Sequence, residues 1–162
     1  MDPITSTTIS FLISLILAFT MTPLVIMLAK RYGCVDKPGV RRFHNKVTPR
    51  WGGLAFFAGL LPTLLYLIFS LTTDGFFLPF LVASLCLVTL GAIDDYKQLG
   101  WKIKFVGMFI GSSIIIFYGD IVVHHIGTYG HMGKIDLGNF SIPFTYLGII
   151  GVTNSINLID GL

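Results

Sequence analysis

The feature that most constrains this chain is how rarely charge occurs along it. From Pro3 to Ala29, Trp51 to Thr73, Gly75 to Ile93, Phe105 to Gly119 and Leu137 to Ile159 there is no Asp, Glu, Lys or Arg. A helix needs about 20 apolar residues to cross roughly 30 Å of hydrocarbon. Four of the five stretches are long enough. Phe105 to Gly119 spans only about 22 Å as a helix, so Lys102 and Lys104 must snorkel at one end and Ile121 to Val123 must extend the other. Charged residues make up 12% of the chain, half of the roughly 25% typical of soluble domains. A water-solvated globule is excluded. The expected fold is an all-α polytopic membrane protein, a single integral domain over 1–162 with helices near 4–29, 51–72, 76–93, 104–121 and 140–159. The first stretch opens Met1-Asp2 without a basic leader or a small-residue cleavage site, so it is expected to be a retained helix.

The few cations set sidedness. Lys30, Arg31, Lys37, Arg41, Arg42, Lys46 and Arg50 fall between spans one and two, and Lys97, Lys102 and Lys104 between three and four; the alternate connections hold only Lys134. By the positive-inside rule the basic side is cytoplasmic. This puts the N-terminus outside and predicts five crossings, with Asn154 to Leu162 returning to the cytoplasmic face. The outer connection from Asp120 to Gly138 contains Gly127, Gly130, Gly133 and Gly138, which predicts turns or a small hairpin. Cys34 and Cys86 are too few for a disulfide framework and read as free thiols.

Three polar segments share the cytoplasmic side: VDKPGVRRFHNKVTPRWGG (Val35 to Gly53), GAIDDYKQLGWKIKF (Gly91 to Phe105) and NSINLIDGL (Asn154 to Leu162). Together they supply basic and backbone donors, paired carboxylates with lysines, and an amide and carboxylate cluster. That inventory suits a phosphorylated substrate with a divalent metal. Asp94 and Asp95 repel one another at the membrane edge and persist most easily when a cation or proton is shared; the plainer alternative is a hydrated helix end facing Lys97. Lys104, nine residues past Asp95, lies about 13 Å away along a continuous helix, so it reaches the carboxylates only if Gly100 marks a turn. Otherwise it snorkels. Asn154, Asn157 and Asp160 recur every three residues and share one broad helix face, fit either for ligating a hard cation or for interhelical hydrogen bonds.

In the first loop, Pro38-Gly39 predicts a turn, Thr48 a cap at the start of span two, and Gly52-Gly53 a close helix or ligand approach. The basic cluster there also suits anionic lipid headgroups. His124, His125 and His131 lie among glycines and read as solvated loop residues rather than a metal site. Trp51 and Trp101 fit the interfacial aromatic belt.

In this combination the chain resembles the N-terminal part of the polyprenyl-phosphate N-acetylhexosamine-1-phosphate transferases, of the undecaprenyl-phosphate GlcNAc-1-phosphate type, with the phospho-MurNAc-pentapeptide transferases as relatives. The first loop resembles that family's first cytoplasmic motif through His44, Thr48, Pro49 and Arg50; IDDYKQLGWKIKF resembles its paired-Asp motif and NSINLIDGL its NxxNxxDG motif. The resemblance implies transfer of a sugar 1-phosphate, GlcNAc-1-phosphate by the wording of the first motif, from a UDP-N-acetylhexosamine to undecaprenyl phosphate with release of UMP, the opening step of an envelope polysaccharide such as lipopolysaccharide or teichoic acid. It implies catalytic roles for Asp94, Asp95, Lys104 and Asp160, a Mg²⁺ ligand at Asn157 (Mn²⁺ as the alternative ion), and substrate binding by His44, Thr48, Arg50 and Asn154. It further implies a multi-pass protein of the bacterial cytoplasmic membrane, with the lipid bilayer and a second copy in a homodimer as partners and no nucleic acid. Gln98 stands where some members carry a third acid. The family continues past the position of Leu162, so the 162-residue chain is expected to be inactive alone. The rival class is a non-enzymatic transporter fragment or lipid-binding accessory subunit, which charges near the bilayer midplane would favour; here the charges cluster at the interfaces.

Overall fold

A computed structural model of the chain describes residues 3–36, 47–70, 75–128, 130 and 133–160, without the side chains of residues 3, 4, 6, 70 and 157–160. Five long helices follow in order: α1 Pro3–Arg31, α2 Gly52–Ser70, α3 Phe77–Lys97, α4 Trp101–Tyr118 and α5 Ser141–Asp160. Two small antiparallel ribbons occupy the connections. One pairs β1 (Val35–Asp36) with β2 (Thr48–Pro49), and the other pairs β3 (His125–Thr128) with β4 (Lys134–Asp136). Among the described residues, α1 to α4 each contain a segment long and apolar enough to cross a membrane. Their outer faces remain apolar, with Phe19 80% and Phe69 81% exposed. Apolar surface of this extent is unfavourable in water and requires lipid or protein cover.

Each helix packs mainly on the next in sequence. At the α1–α2 crossing the backbones approach closely, because Gly59 presses on Ala18: a Cβ built on Gly59 would lie 2.6 Å from the Ala18 Cβ and 2.7 Å from its backbone nitrogen. Small residues allow such backbone approach, and hydroxyls supplement it. The Ser14 and Thr63 hydroxyls are 2.6 Å apart. Between α2 and α3, Phe57, Leu64 and Leu81 form a buried cluster flanked by Phe77 and Phe80. Gly107 and Gly111 of α4 receive Leu90 and Leu87 of α3. On α5, Tyr146 stacks on Phe109 with ring centroids 4.5 Å apart and shares a 2.7 Å hydrogen bond with Ser113.

The glycine-marked connection between α4 and α5 does form a hairpin, β3–β4, with Gly127, Gly133 and Gly138 at positive φ. The fourth span is shifted rather than lengthened: α4 begins at Trp101, three residues before the expected start, and ends at Tyr118, so Ile121 to Val123 do not extend it. Charge-free stretches underestimate a helix whose first turn carries lysines. For the same reason α3 runs on through Asp94, Asp95 and Lys97. Thr48 does not cap α2: it pairs with Asp36 in the β1–β2 ribbon, and the helix begins four residues later at Gly52. Nor do Gly52 and Gly53 mark a close helix approach, since a Cβ at either would meet nothing within 4 Å.

Candidate active site

The polar residues gather at the end of the bundle where α1 stops, α2 starts and α3 turns into α4. Gln98 ends α3 in the left-handed region (φ 51°), its N–H donating to the Asp94 carbonyl at 2.7 Å, and Gly100 opens α4 from an extended conformation. The turn reverses the chain within three residues. Asp94 holds it from both sides: Oδ1 accepts the Leu99 N–H at 2.8 Å, and Oδ2 lies 2.6 Å from Lys104 Nζ. Acids are disfavoured at a helix C-terminus and cations at an N-terminus. Asp94 and Lys104 each oppose their own helix dipole, and pairing across the turn relieves both. The side chains are 14% and 31% exposed, so water screens this pair only partly.

The first loop docks beside this turn. The β1–β2 ribbon sets Val35 opposite Pro49 and Asp36 opposite Thr48. Arg50 follows directly, with Nη2 2.7 Å from Asp36 Oδ1 and its backbone N–H donating to the Cys34 carbonyl at 3.1 Å. Trp51 then reaches α3: its indole Nε1–H donates to the Ala92 carbonyl at 3.3 Å, while its ring packs near Tyr32 with centroids 5.9 Å apart. Cys34, directly before β1, is buried at 2% exposure. Burial pushes its thiol pKa above the ordinary value, the Asp95 carboxylate adds to the rise, and the Arg50 guanidinium opposes it. Asp95 and Arg50 therefore act on the same thiol from two different elements.

The pattern of this end matches a known family: glycosyl transferase family 4 covers residues 77–162, more than half of the chain. The chain belongs to that family. Glycosyl transferase family 4 is reflected in individual relatives as well. A probable undecaprenyl-phosphate N-acetylglucosaminyl 1-phosphate transferase of Bacillus subtilis (strain 168) is 34% identical over 154 residues, covering 95% of this chain and 42% of the relative. An undecaprenyl-phosphate alpha-N-acetylglucosaminyl 1-phosphate transferase of Salmonella typhi is 29% identical over 96% of this chain and 42% of its own length. A decaprenyl-phosphate N-acetylglucosaminephosphotransferase of Mycobacterium tuberculosis (strain CDC 1551 / Oshkosh) is 34% identical over 91% of this chain and 38% of its own length. This chain thus spans about two fifths of the length of these curated relatives. No solved structure matches it.

In this family 4 chain the residues singled out from sequence divide clearly. Asp94 and Lys104 are brought into contact by the turn at Gly100, and the ion pair goes to Lys104 rather than to the nearer Lys97. Arg50 stands at the end of β2, and Thr48 is exposed in the ribbon beside it. Asn154 is half-buried on α5, and Asn157 and Asp160 continue the same helix, their side chains outside the described residues. His44 also lies outside them. Lys102 lies over the Trp101 ring, 5.6 Å from its centroid. Sequence reading did not single out Asp36, Cys34 or the inward role of Trp51. The only signal was the motif itself, because a two-residue ribbon leaves no periodicity to detect.

Proposed function

We propose that the protein to which this chain belongs transfers N-acetylglucosamine 1-phosphate from UDP-GlcNAc to undecaprenyl phosphate, releasing UMP, at the cytoplasmic face of a bacterial cytoplasmic membrane. The observation that carries this reading is the clustering of Asp94, Asp95, Lys104 and Arg50 at one end of an apolar helical bundle of this family. In the reaction a lipid-phosphate oxygen forms a bond to the sugar-linked phosphorus while the bond from that phosphorus to the UMP oxygen breaks. Catalysis of such a transfer is chiefly positioning and charge neutralisation. A site at the membrane edge receives the lipid phosphate from the bilayer and the nucleotide from water.

Within it Asp94 fixes the α3–α4 turn and aims Lys104, whose compact ammonium serves as a point charge for the diphosphate. Asp95, one helix position on, is the carboxylate proposed to position the lipid phosphate or to take its proton. Arg50, Thr48 and His44 hold substrate from the first loop. Asn154 belongs to the same site by level: it lies eight residues beyond Tyr146, about 12 Å along α5, and Lys104 lies nine residues back along α4 from Ser113, the hydrogen-bond partner of Tyr146. Asn157 and Asp160 follow one and two turns later.

The donor set fits Mg²⁺, or Mn²⁺ in its place. Such ions take hard oxygen ligands and are commonly held by one or two carboxylates together with substrate phosphates. The residues proposed to hold the ion are Asp95 and Asn157, with Asp160 close by in sequence. When bound, the ion would supply neutralising charge at the transferred phosphates.

The test is UMP release by the full-length protein in lipid nanodiscs given UDP-GlcNAc and undecaprenyl phosphate. The reading requires release that depends on both substrates and stops on chelation of divalent metal. Release without the polyprenyl phosphate, or no release at all, contradicts it.

A further inference from the structure

We infer that Trp51 and Asp36 are positioning residues, which pin the β1–β2 ribbon as a strap across the end of α3 and hold Arg50 beside the Asp94–Asp95 turn. Three bonds make the strap. The Trp51 indole donates to Ala92, two residues before Asp94; Asp36 grips the Arg50 guanidinium from the opposite strand; and the Arg50 backbone N–H closes on Cys34. Each acts at a different point, and together they fix Arg50 in two directions. An arginine has several rotatable bonds, so its position at a phosphate site is defined only when its backbone and its guanidinium are both held. Asp36 does the second without neutralising the site as a whole, since its partner retains further N–H donors for an anion.

The strap is also bonded to Cys34, whose carbonyl accepts the Arg50 N–H and which is 2% exposed although it lies in a connection at the bundle end. That thiol reports on strap closure independently of any activity. The inference deepens the transferase reading and rests on it for the role of Arg50, whereas the closure of the strap does not.

The experiment uses full-length protein in nanodiscs with Cys86→Ser and any further cysteine removed, so that Cys34 alone reacts with a maleimide. Trp51→Phe keeps an aromatic ring beside Tyr32 and removes the indole donor; Asp36→Asn keeps size and removes the charge. In both variants Cys34 should react about tenfold faster, a change on the order of one lost hydrogen bond, with the thermal midpoint near that of the parent. KM for the UDP-sugar should rise several-fold while kcat stays within about twofold, since the strap positions a binding group. Unchanged Cys34 reactivity in both variants overturns the strap. Faster labelling with kcat falling and KM constant overturns the positioning role. Faster labelling of the variants, with no UMP release by the parent, leaves the strap standing and removes the transferase reading instead.

Discussion

Lys104 Nζ sits 2.6 Å from Asp94 Oδ2 although the two residues are ten positions apart on different helices. The contact exists because the left-handed Gln98 and the extended Gly100 fold α4 back at once. With Asp94 only 14% exposed, removing Lys104 leaves a carboxylate that water cannot fully solvate. Lys104→Met should lower stability by about 1–2 kcal/mol, and Asp94→Asn combined with it should cost clearly less than the sum of the two single changes. Thermal unfolding of the four proteins of this cycle in the same detergent provides the check.

A second prediction concerns the α1–α2 crossing. Because a Cβ at Gly59 would meet Ala18 backbone atoms at 2.7 and 2.8 Å, the helices themselves must separate to admit it. Gly59→Ala should destabilise by about 1–3 kcal/mol. Gly52→Ala, whose Cβ would meet nothing within 4 Å, should stay within about 0.5 kcal/mol of the parent. Equal effects at the two sites would contradict the packing described.

Cys34 supplies a pH prediction. Burial and the Asp95 charge raise its thiol pKa while Arg50 lowers it. Its alkylation should therefore begin at higher pH than that of an exposed cysteine. Asp95→Asn should shift the profile toward lower pH, and Arg50→Gln toward higher pH. The raised value means that the protonated thiol contributes stability below the ionisation range of an exposed thiol, and that this contribution fades as pH climbs through the folded value. Rates of maleimide labelling between about pH 7 and 10, the range around an ordinary thiol pKa, measure all three.

What could be read from the sequence follows from which interactions are local. Helices reveal themselves by absence of charge over about 20 residues, and the outer hairpin by its glycines, so both were legible. The turn at Gly100 was legible as a condition: only with it could Lys104 reach the carboxylates. What stayed hidden was pairing between distant residues. Asp36 with Arg50, Trp51 with Ala92 and Gly59 with Ala18 are separated by 14, 41 and 41 positions, and no local pattern marks them. At Thr48 the sequence is ambiguous, because a Thr-Pro pair before an apolar run suits a helix start equally well as an edge ribbon. The choice is made by Val35 and Asp36 lying across from it.

Two adjacent carboxylates divide the work in the proposed transfer: Asp94 holds the turn, and Asp95 is proposed to serve the reacting phosphates. The most direct measurement is Mg²⁺-dependent UMP release by the full-length protein carrying Asp95→Asn, alongside its thermal midpoint. A fall of about 10²-fold or more is expected, the scale of losing a group that acts in the transition state, in protein that its thermal midpoint shows to be folded. Release at the parental rate would contradict it.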